Sequence, residues 1–520
     1  MSIRSILLAG TVAGLSLAIT TPVFAAGNST QSQINTLRNQ MQAEIDALKQ
    51  EVATLKGQQQ TTQAKAEVAE QKVETAVAAV AKVTPPKGKK GIQVGAVTIT
   101  PGGFIEAAGL YRDKNMTSDL DTKFNAIPFG NSSNAHVDEN RFSARQSRLS
   151  LLATSDADSA THLSAYYEMD FLGAAGTANS NQSNSYTPRI RNIYATIDWD
   201  DLGLHLLGGQ NWSLATMNSK GISPRNEVLP MSIDPQYVVG FDWTRTPQFR
   251  LTKDLFDKTL WLAVSVENPQ TTVTGTAPAG AGSLVSNLGG NLFDSSTAYS
   301  IDAAPDIIVK AAWEPGFGHY EIYGIGSFER DRVAFNNRTN VAGGVGGGMT
   351  LPVIPQLLDF QLSGLVGQGV GRYATSQLPD ATFGANGSIH PLTEYSMLAG
   401  LIGHPTPTLD IYGYAGVEHA DRWYQNVGST HYGYGNPAYV NSGCQGNNHI
   451  EGSALACTAN TRDIAEATVG FWWKFYQGDF GSARWGTQYE YVARNVYGGV
   501  GGGGTADNNI IETSFRFYPF

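Results

Sequence analysis

The chain has 520 residues, with 35 Lys and Arg against 45 Asp and Glu, for a formal net charge of −10. This acidic balance, with no basic domain, argues against a nucleic-acid partner. Charged residues make up only 15% of the chain beside 58 Gly, 22 Tyr, 21 Phe and 9 Trp, a mixture suited to many short strands joined by flexible loops.

The first element is "MSIRSILLAGTVAGLSLAITTPVFA": Arg4, an apolar run from Ile6 to Ile19, then small residues at Val23 and Ala25. It reads as a secretory signal peptide over 1–25, cleaved after Ala25, and implies export. Between Gln31 and Lys56, apolar residues Ile34, Leu37, Met41, Ile45, Leu48, Val52 and Leu55 alternate by threes and fours, as along a coiled-coil seam. A second run, Ala66, Ala69, Val73, Ala76, Val80 and Val83, keeps the same spacing. We expect a coiled coil over 26–84; an amphipathic helix packed on its own domain is the alternative. "TPPKGKKG" then breaks the helix, giving a basic Pro/Gly linker over 85–91 that is either solvated or in contact with anionic lipid or cell wall.

From Ile92 onward the period changes to two. In "RLSLLATS", Leu149, Leu151 and Ala153 share one face and Arg148, Ser150 and Leu152 the other. "HLSAYYEMDF" sets Leu163, Ala165, Tyr167, Met169 and Phe171 against Ser164, Tyr166, Glu168 and Asp170, and "KTLWLAVSVEN" behaves likewise. No later stretch reaches the roughly 18 apolar residues that a membrane helix needs. The links between strands alternate: short ones such as "DD", "PGFG" and "PTP", then long ones at 112–140, 172–188, 212–247, 268–304, 373–391 and 421–462. Counted this way there are sixteen strands, with every long loop at one end. The expected fold over 92–520 is therefore an all-β transmembrane barrel of sixteen antiparallel strands in the bacterial outer membrane, following an N-terminal α-helical coiled-coil extension in the periplasm. The terminal "RFYPF" places Phe520 at the periplasmic rim; Arg516 and Ser514 lie on the phase of Phe520 and Tyr518, so Pro519 is expected to shift the register.

Both cysteines, Cys444 and Cys457, fall in the polar stretch "NSGCQGNNHIEGSALACTAN" and are expected to form one loop-closing disulfide. No metal site and no cofactor are expected, because His449 alone does not complete a ligand set.

Sixteen strands leave a water-filled lumen, so specificity must come from inward-facing side chains. The polar phases nominate Arg148, Glu168, Asp170, Asp198, His205, Arg250, Lys310, Lys474, Arg484, Arg494 and Arg516. Closure of the barrel would bring Arg484, Arg494, Arg516 and Arg148 onto one wall, where guanidinium forks suit carboxylate or phosphate. Pairing of these arginines with Glu168, Asp170 or Glu490, merely shaping the field, is the alternative. The third long loop, "WSLATMNSKGISPRNEVLPMSIDPQYVVGFDWTRTP", carries Glu227, Asp234, Trp243 and Arg245 and is too apolar for an external loop. We expect it to fold into the lumen, although its "YVVGFDWT" could form a seventeenth strand.

The signal peptide, the coiled coil, "RQSRLSL" in the second strand, "GFDWTRTPQFRLT" after the third loop and the "YPF" ending together resemble the DcaP-like outer-membrane porins. That resemblance implies a homotrimer whose N-terminal helices form a periplasmic coiled coil, and uptake of small anionic solutes such as dicarboxylates past constriction arginines. By matching segments it points to Arg145 and Arg148 in "RQSR" and to Arg245 and Arg250 in "RTPQFR". Strand alternation puts Arg145, and also Arg189 and Arg191 of "PRIRNIY", on the lipid-facing parity. The expected function is passive diffusion through an arginine-lined pore, with outer-membrane lipids and, through the coiled coil or linker, peptidoglycan as further contacts. A phosphate-selective porin and an outer-membrane adhesin or cell-wall tether are the alternatives. No enzymatic activity is expected: there is no G-x-S-x-G or H-E-x-x-H stretch, and neither "GGVGGGM" nor "GGVGGGGT" has the Lys of a nucleotide loop.

Overall fold

The computed structural model describes scattered positions between 38 and 56, all of them α-helical, and residues 91–520 except 117, 174–186, 276, 279–301, 445–450 and 452–454. The expected signal peptide, the linker up to 90 and most of the expected coiled coil lie outside the described residues.

The alternating segments form sixteen strands. They are β1 (Val97–Arg112), β2 (Glu139–Ser143 and Arg148–Asp156), β3 (Thr161–Gly173), β4 (Thr187–Trp199), β5 (Leu204–Trp212), β6 (Arg245–Leu255), β7 (Leu260–Glu267) and β8 (Asp306–Trp313). The second half comprises β9 (His319–Val333), β10 (Asn336–Ile354), β11 (Leu358–Gln368), β12 (Thr393–Thr406), β13 (Leu409–Ala420), β14 (Thr461–Gly478), β15 (Gly481–Val496) and β16 (Thr505–Tyr518). Each pairs antiparallel with its sequence neighbours, and β16 pairs with β1, from Ile105↔Phe517 to Arg112↔Ile510. No edge is left unpaired in the cylinder, as lipid requires of a sheet. A short strand, Ile92–Val94, leads into β1 as a hairpin arm.

Side-chain exposure runs opposite to that of a soluble protein. In β7, Leu262, Val264 and Val266 are 40–43% exposed, whereas Trp261, Ala263, Ser265 and Glu267 are buried. Apolar outward and polar inward is the pattern of a barrel sitting in hydrocarbon. Trp313, Phe317 and Tyr320 pack together near the short-turn end, as do Phe471 with Trp485 and Phe475 with Phe515. These clusters fit the aromatic girdle at a membrane interface.

The third loop, 213–244, makes no seventeenth strand. It enters the lumen, and its β-pairings among the described residues are isolated bridges, Asn218↔Glu227 within it and Asp242↔Ala374 beyond it. Its apolar residues explain why. Leu214, Ala215 and Ile222 pack on Trp261, Ile308, Tyr323 and Leu365 of one wall. Ile233, Val238 and Phe241 pack on Leu398, Ile402, Tyr412 and Trp472 of the next. Each such side chain gains roughly 1.5–3 kcal/mol by leaving water. On the long-loop side, Met116, Leu120, Phe124, Ile127 and Phe129 of the first loop pack with Leu378, Leu392, Tyr434 and Tyr497 from other loops. Cys444 and Cys457 are disulfide-bonded in the seventh loop, 421–460.

At the C-terminus, Tyr518 keeps to the lumenal phase of Arg516, contacting Phe104 and Arg484. The register shift expected from Pro519 therefore does not occur before Tyr518.

Candidate functional site

The third loop is held by its backbone. Leu214 N–H donates to Glu267 (2.8 Å), Asn218 N–H to Glu321 (3.1 Å) and Ile233 N–H to Gln488 (2.6 Å). Val239 N–H donates to Glu466 (2.7 Å) and Gly240 N–H to Glu418 (2.8 Å). The acceptors come from β7, β9, β15, β14 and β13, so four carboxylates and one side-chain amide oxygen of the wall satisfy backbone amides that would otherwise be orphaned away from water. Gly240 is required here: its φ is +86°, and a Cβ would lie 2.1 Å from Met397 O.

On the short-turn side of the loop, a cavity of about 450 Å³ is bounded by loop residues 229–232 and Pro235 and by Arg148, Arg484 and Arg516 from the wall. Arg516 is paired with Glu106 at 2.9 Å and also donates to Ile233 O of the loop. Arg148 lies 3.8 Å from Glu168 and over the Phe104 ring. Arg484 stacks on Trp472 (4.1 Å) and Tyr518 (4.9 Å), and its Nε has no partner; among the described residues it pairs with no carboxylate. Aromatic faces hold a guanidinium in place while leaving its charge available.

A second basic group adjoins the first, with Arg191 and Arg148 sharing Glu168. Arg191 donates to Glu168 (2.7 Å), Asp170 (2.9 Å) and Gln236 of the loop (2.7 Å), and Arg189 donates to Asp170 (2.7 Å). Arg245 lies over Trp212 (5.1 Å) and Trp243 (5.3 Å), with Nη1 unpartnered. Strand alternation had set Arg189 and Arg191 on the lipid side, and the structure corrects this. Between β3 and β4 the register shifts, Glu168↔Asn192 being followed by Met169↔Ile190, and Arg191 is the extra residue. A bulge of this kind re-aims a side chain, and Arg191 is turned into the lumen, 1% exposed. Arg145 escapes its lipid-facing parity differently: β2 is interrupted at 144–147, and Arg145 bonds Asp119 of the first loop (2.8 Å) and Phe171 O (3.0 Å).

The remaining nominated residues sit elsewhere. Arg494 does not share the wall of Arg484. The two face the same way on β15, but ten residues along a strand is about 33 Å. Arg494 instead donates to Thr461 (2.8 Å) and to Ile127 O of the first loop (2.9 Å). Arg250 is buried at the root of the third loop, donating to Trp212 O (2.6 Å) and Gln248, and does not line the cavity. Lys310 does a similar job, donating to Thr216 O and Glu321, both 2.8 Å. Lys474 pairs with Asp410 (2.8 Å). Glu227 is in the loop near Asn211, its carboxyl pushed up by burial. Asp234 is buried with Oδ2 unpartnered; burial, then Asp121 and Glu106, push it well above the carboxylate range. Among the described residues no group of three His, Cys, Asp or Glu side chains is arranged to hold a metal ion.

A closed sixteen-stranded cylinder, apolar outside and narrowed by an inserted loop, defines a porin-like outer-membrane channel fold. In particular, the chain is similar to the crystal structure of the outer membrane channel DcaP of Acinetobacter baumannii: TM-score 0.58 at 17% identity, over 82% of this chain and 100% of that one. Weaker matches include OmpT, an outer membrane protein of Vibrio cholerae (TM-score 0.43, 9% identity, 83% and 100% covered). Another is the anion-selective porin from Comamonas acidovorans (TM-score 0.42, 11% identity, 81% and 99% covered). No protein-family model matches the sequence, and no curated protein matches it.

Proposed function

We propose that the protein is a passive diffusion channel of the outer membrane for small, preferentially anionic solutes such as dicarboxylates. The observation that carries this reading is the cavity bounded by Arg148, Arg484 and Arg516, in which Arg484 has no carboxylate partner among the described residues. A fixed positive charge in a narrowed passage lowers the barrier for an anion and raises it for a cation. Arg191, which shares Glu168 with Arg148, and Arg245, which lies with it over Trp212, extend the same field. Lys310 and Lys474 are both paired with carboxylates, which disfavours a phosphate channel built on lysine.

The family resemblance supports a homotrimer with its N-terminal helical segment as a periplasmic coiled coil, in reach of peptidoglycan. The decisive test is reversal potential in planar bilayers under a KCl gradient, followed by a panel of mono- and dicarboxylates. Chloride preference and block by dicarboxylates are expected; potassium preference would refute the reading.

A further inference from the structure

Four of the nine histidines lie at the short-turn end, which is periplasmic in barrels of this kind. Each has both ring nitrogens against carboxylate oxygens. His162, at the start of β3, is 2.6 Å from Asp156 of β2 and 3.3 Å from Asp200 in the β4–β5 turn. His205 of β5 is 2.7 Å from Asp198 of β4 and 3.1 Å from Asp254 of β6. His319 of β9 is 2.6 Å from Glu314 and 3.0 Å from Glu321. His404 of β12 is 2.7 Å from Asp410 of β13 and 3.3 Å from Asp359 of β11.

An ionised carboxylate only accepts hydrogen bonds, and a neutral imidazole has one N–H to give. For His205 and His404, hydrogen-bonded on both nitrogens, both flanks are therefore satisfied only as an imidazolium, whereas Nε2 of His319 faces Glu321 as a charge without a hydrogen bond. The remaining groups facing these rings are Asp158 beside His162, the Trp261 ring stacked on His205, Lys310 on Glu321, and Lys474 on Asp410. With both ring nitrogens of each histidine turned on carboxylates, the arrangement suits proton binding rather than a metal.

We propose that these histidines form a titratable collar at the periplasmic mouth, which sets the ion preference of the pore according to pH. The side chains share the lumenal phase of their strands. Ser164 and Tyr166 follow His162 on that phase, Ile402 precedes His404, and Tyr166 and Ile402 line the arginine cavity. Two to four residues of strand is about 7–13 Å, close to one screening length of about 8 Å at physiological salt. Raising the pH through the imidazole range, about 5 to 8, removes positive charge from a ring that holds nine carboxylates, Lys310 and Lys474. The mouth becomes more acidic, and anions leaving the arginine cavity meet a higher barrier.

The inference extends the channel reading but does not depend on which ion the parent pore prefers. Its test is the chloride-to-potassium permeability ratio of the full protein in bilayers between about pH 5 and pH 8. The ratio is expected to fall about two- to threefold as pH rises, from the lost positive charges acting across about 10 Å of salt water. In the triple variant His162→Gln, His205→Gln, His404→Gln, which spares the buried His319, most of that slope is expected to vanish while the barrel keeps its heat-modifiable mobility. His404→Gln alone, which leaves Asp410 paired with Lys474 and Asp359 half-exposed, is the second variant and is expected to give a smaller loss of slope. A pH-independent parent, or a slope that survives in the folded variants, would overturn the collar. A parent that prefers potassium throughout, yet more strongly at high pH, would refute the anion reading and leave the collar standing.

Discussion

Glu106 and Arg516 face each other across the seam that closes the barrel, 2.9 Å apart and in direct register between β1 and β16. The pair is buried, and Arg516 also reaches the inserted loop at Ile233 O. One contact thus joins barrel closure, loop position and the basic wall. Truncating either partner leaves the other charge buried alone, which typically costs 3–5 kcal/mol. Arg516→Ala is expected to lower the unfolding temperature of the detergent-solubilised barrel and to weaken chloride preference. Glu106→Gln, which keeps a hydrogen-bond acceptor, is expected to strengthen that preference with a smaller loss of stability. Thermal mobility shifts and reversal potentials together check both.

Arg484 and Arg494 lie on the same face of one strand and are expected to behave differently. Arg484→Ala removes a guanidinium stacked on Trp472 and Tyr518 at the cavity, so the anion preference should fall roughly two- to threefold. Arg494→Ala removes a donor to Ile127 O in the first loop and should leave the permeability ratio nearly unchanged. It should instead increase proteolytic cleavage of that loop. Equal effects on selectivity would contradict the separation in height.

Gly416 on β13 approaches the inserted loop so closely that a Cβ would lie 1.7 Å from Val239 O. Gly416→Ala is expected to push the loop off its wall, at a cost of about 1–3 kcal/mol. Single-channel recording should then show larger and noisier conductance steps than in the parent.

Asp242, in the inserted loop, has its carboxyl pushed up to about 8 by burial, with Glu418 adding to the rise and a hydrogen bond from Ser396 opposing it. Its ordinary value is 3.8, so between these two the folded protein holds a proton that the unfolded chain has lost. The protonated group therefore supports the packed loop at acid pH, and that support is lost progressively as pH rises from about 4 to about 8. Asp242→Asn is expected to flatten the dependence of thermal stability on pH over that window. Unfolding temperatures measured at steps of pH across it decide the matter.

Much of the barrel could be read from the residues. Period-two alternation in segments such as Leu260–Glu267 separates lipid from lumen because each neighbouring side chain meets a different solvent. The alternation of short turns and long loops then orders the strands. The third loop could be read as an insert because an apolar loop exposed to water would be unstable. Three features could not be read from local pattern. Arg191 depends on a bulge, and one extra residue reverses every parity argument beyond it. Arg494 shares a face with Arg484 but not a depth, and alternation carries no depth. The loop's anchors join residues far apart in the chain, such as Gly240 to Glu418 and Val239 to Glu466, through carboxylate–amide bonds that no periodicity encodes.

Because the inserted loop hangs by its main chain from side chains on five different staves of the cylinder, its aperture is inherited from the staves. Exchanging the loop side chains that face the cavity, such as Met231 and Ser232, would repaint the opening without resizing it, whereas changing a stave acceptor would alter the calibre itself. The molecule is built as a fixed stop rather than a swinging door, and its selectivity is free to diversify by decorating a frame that stays the same size.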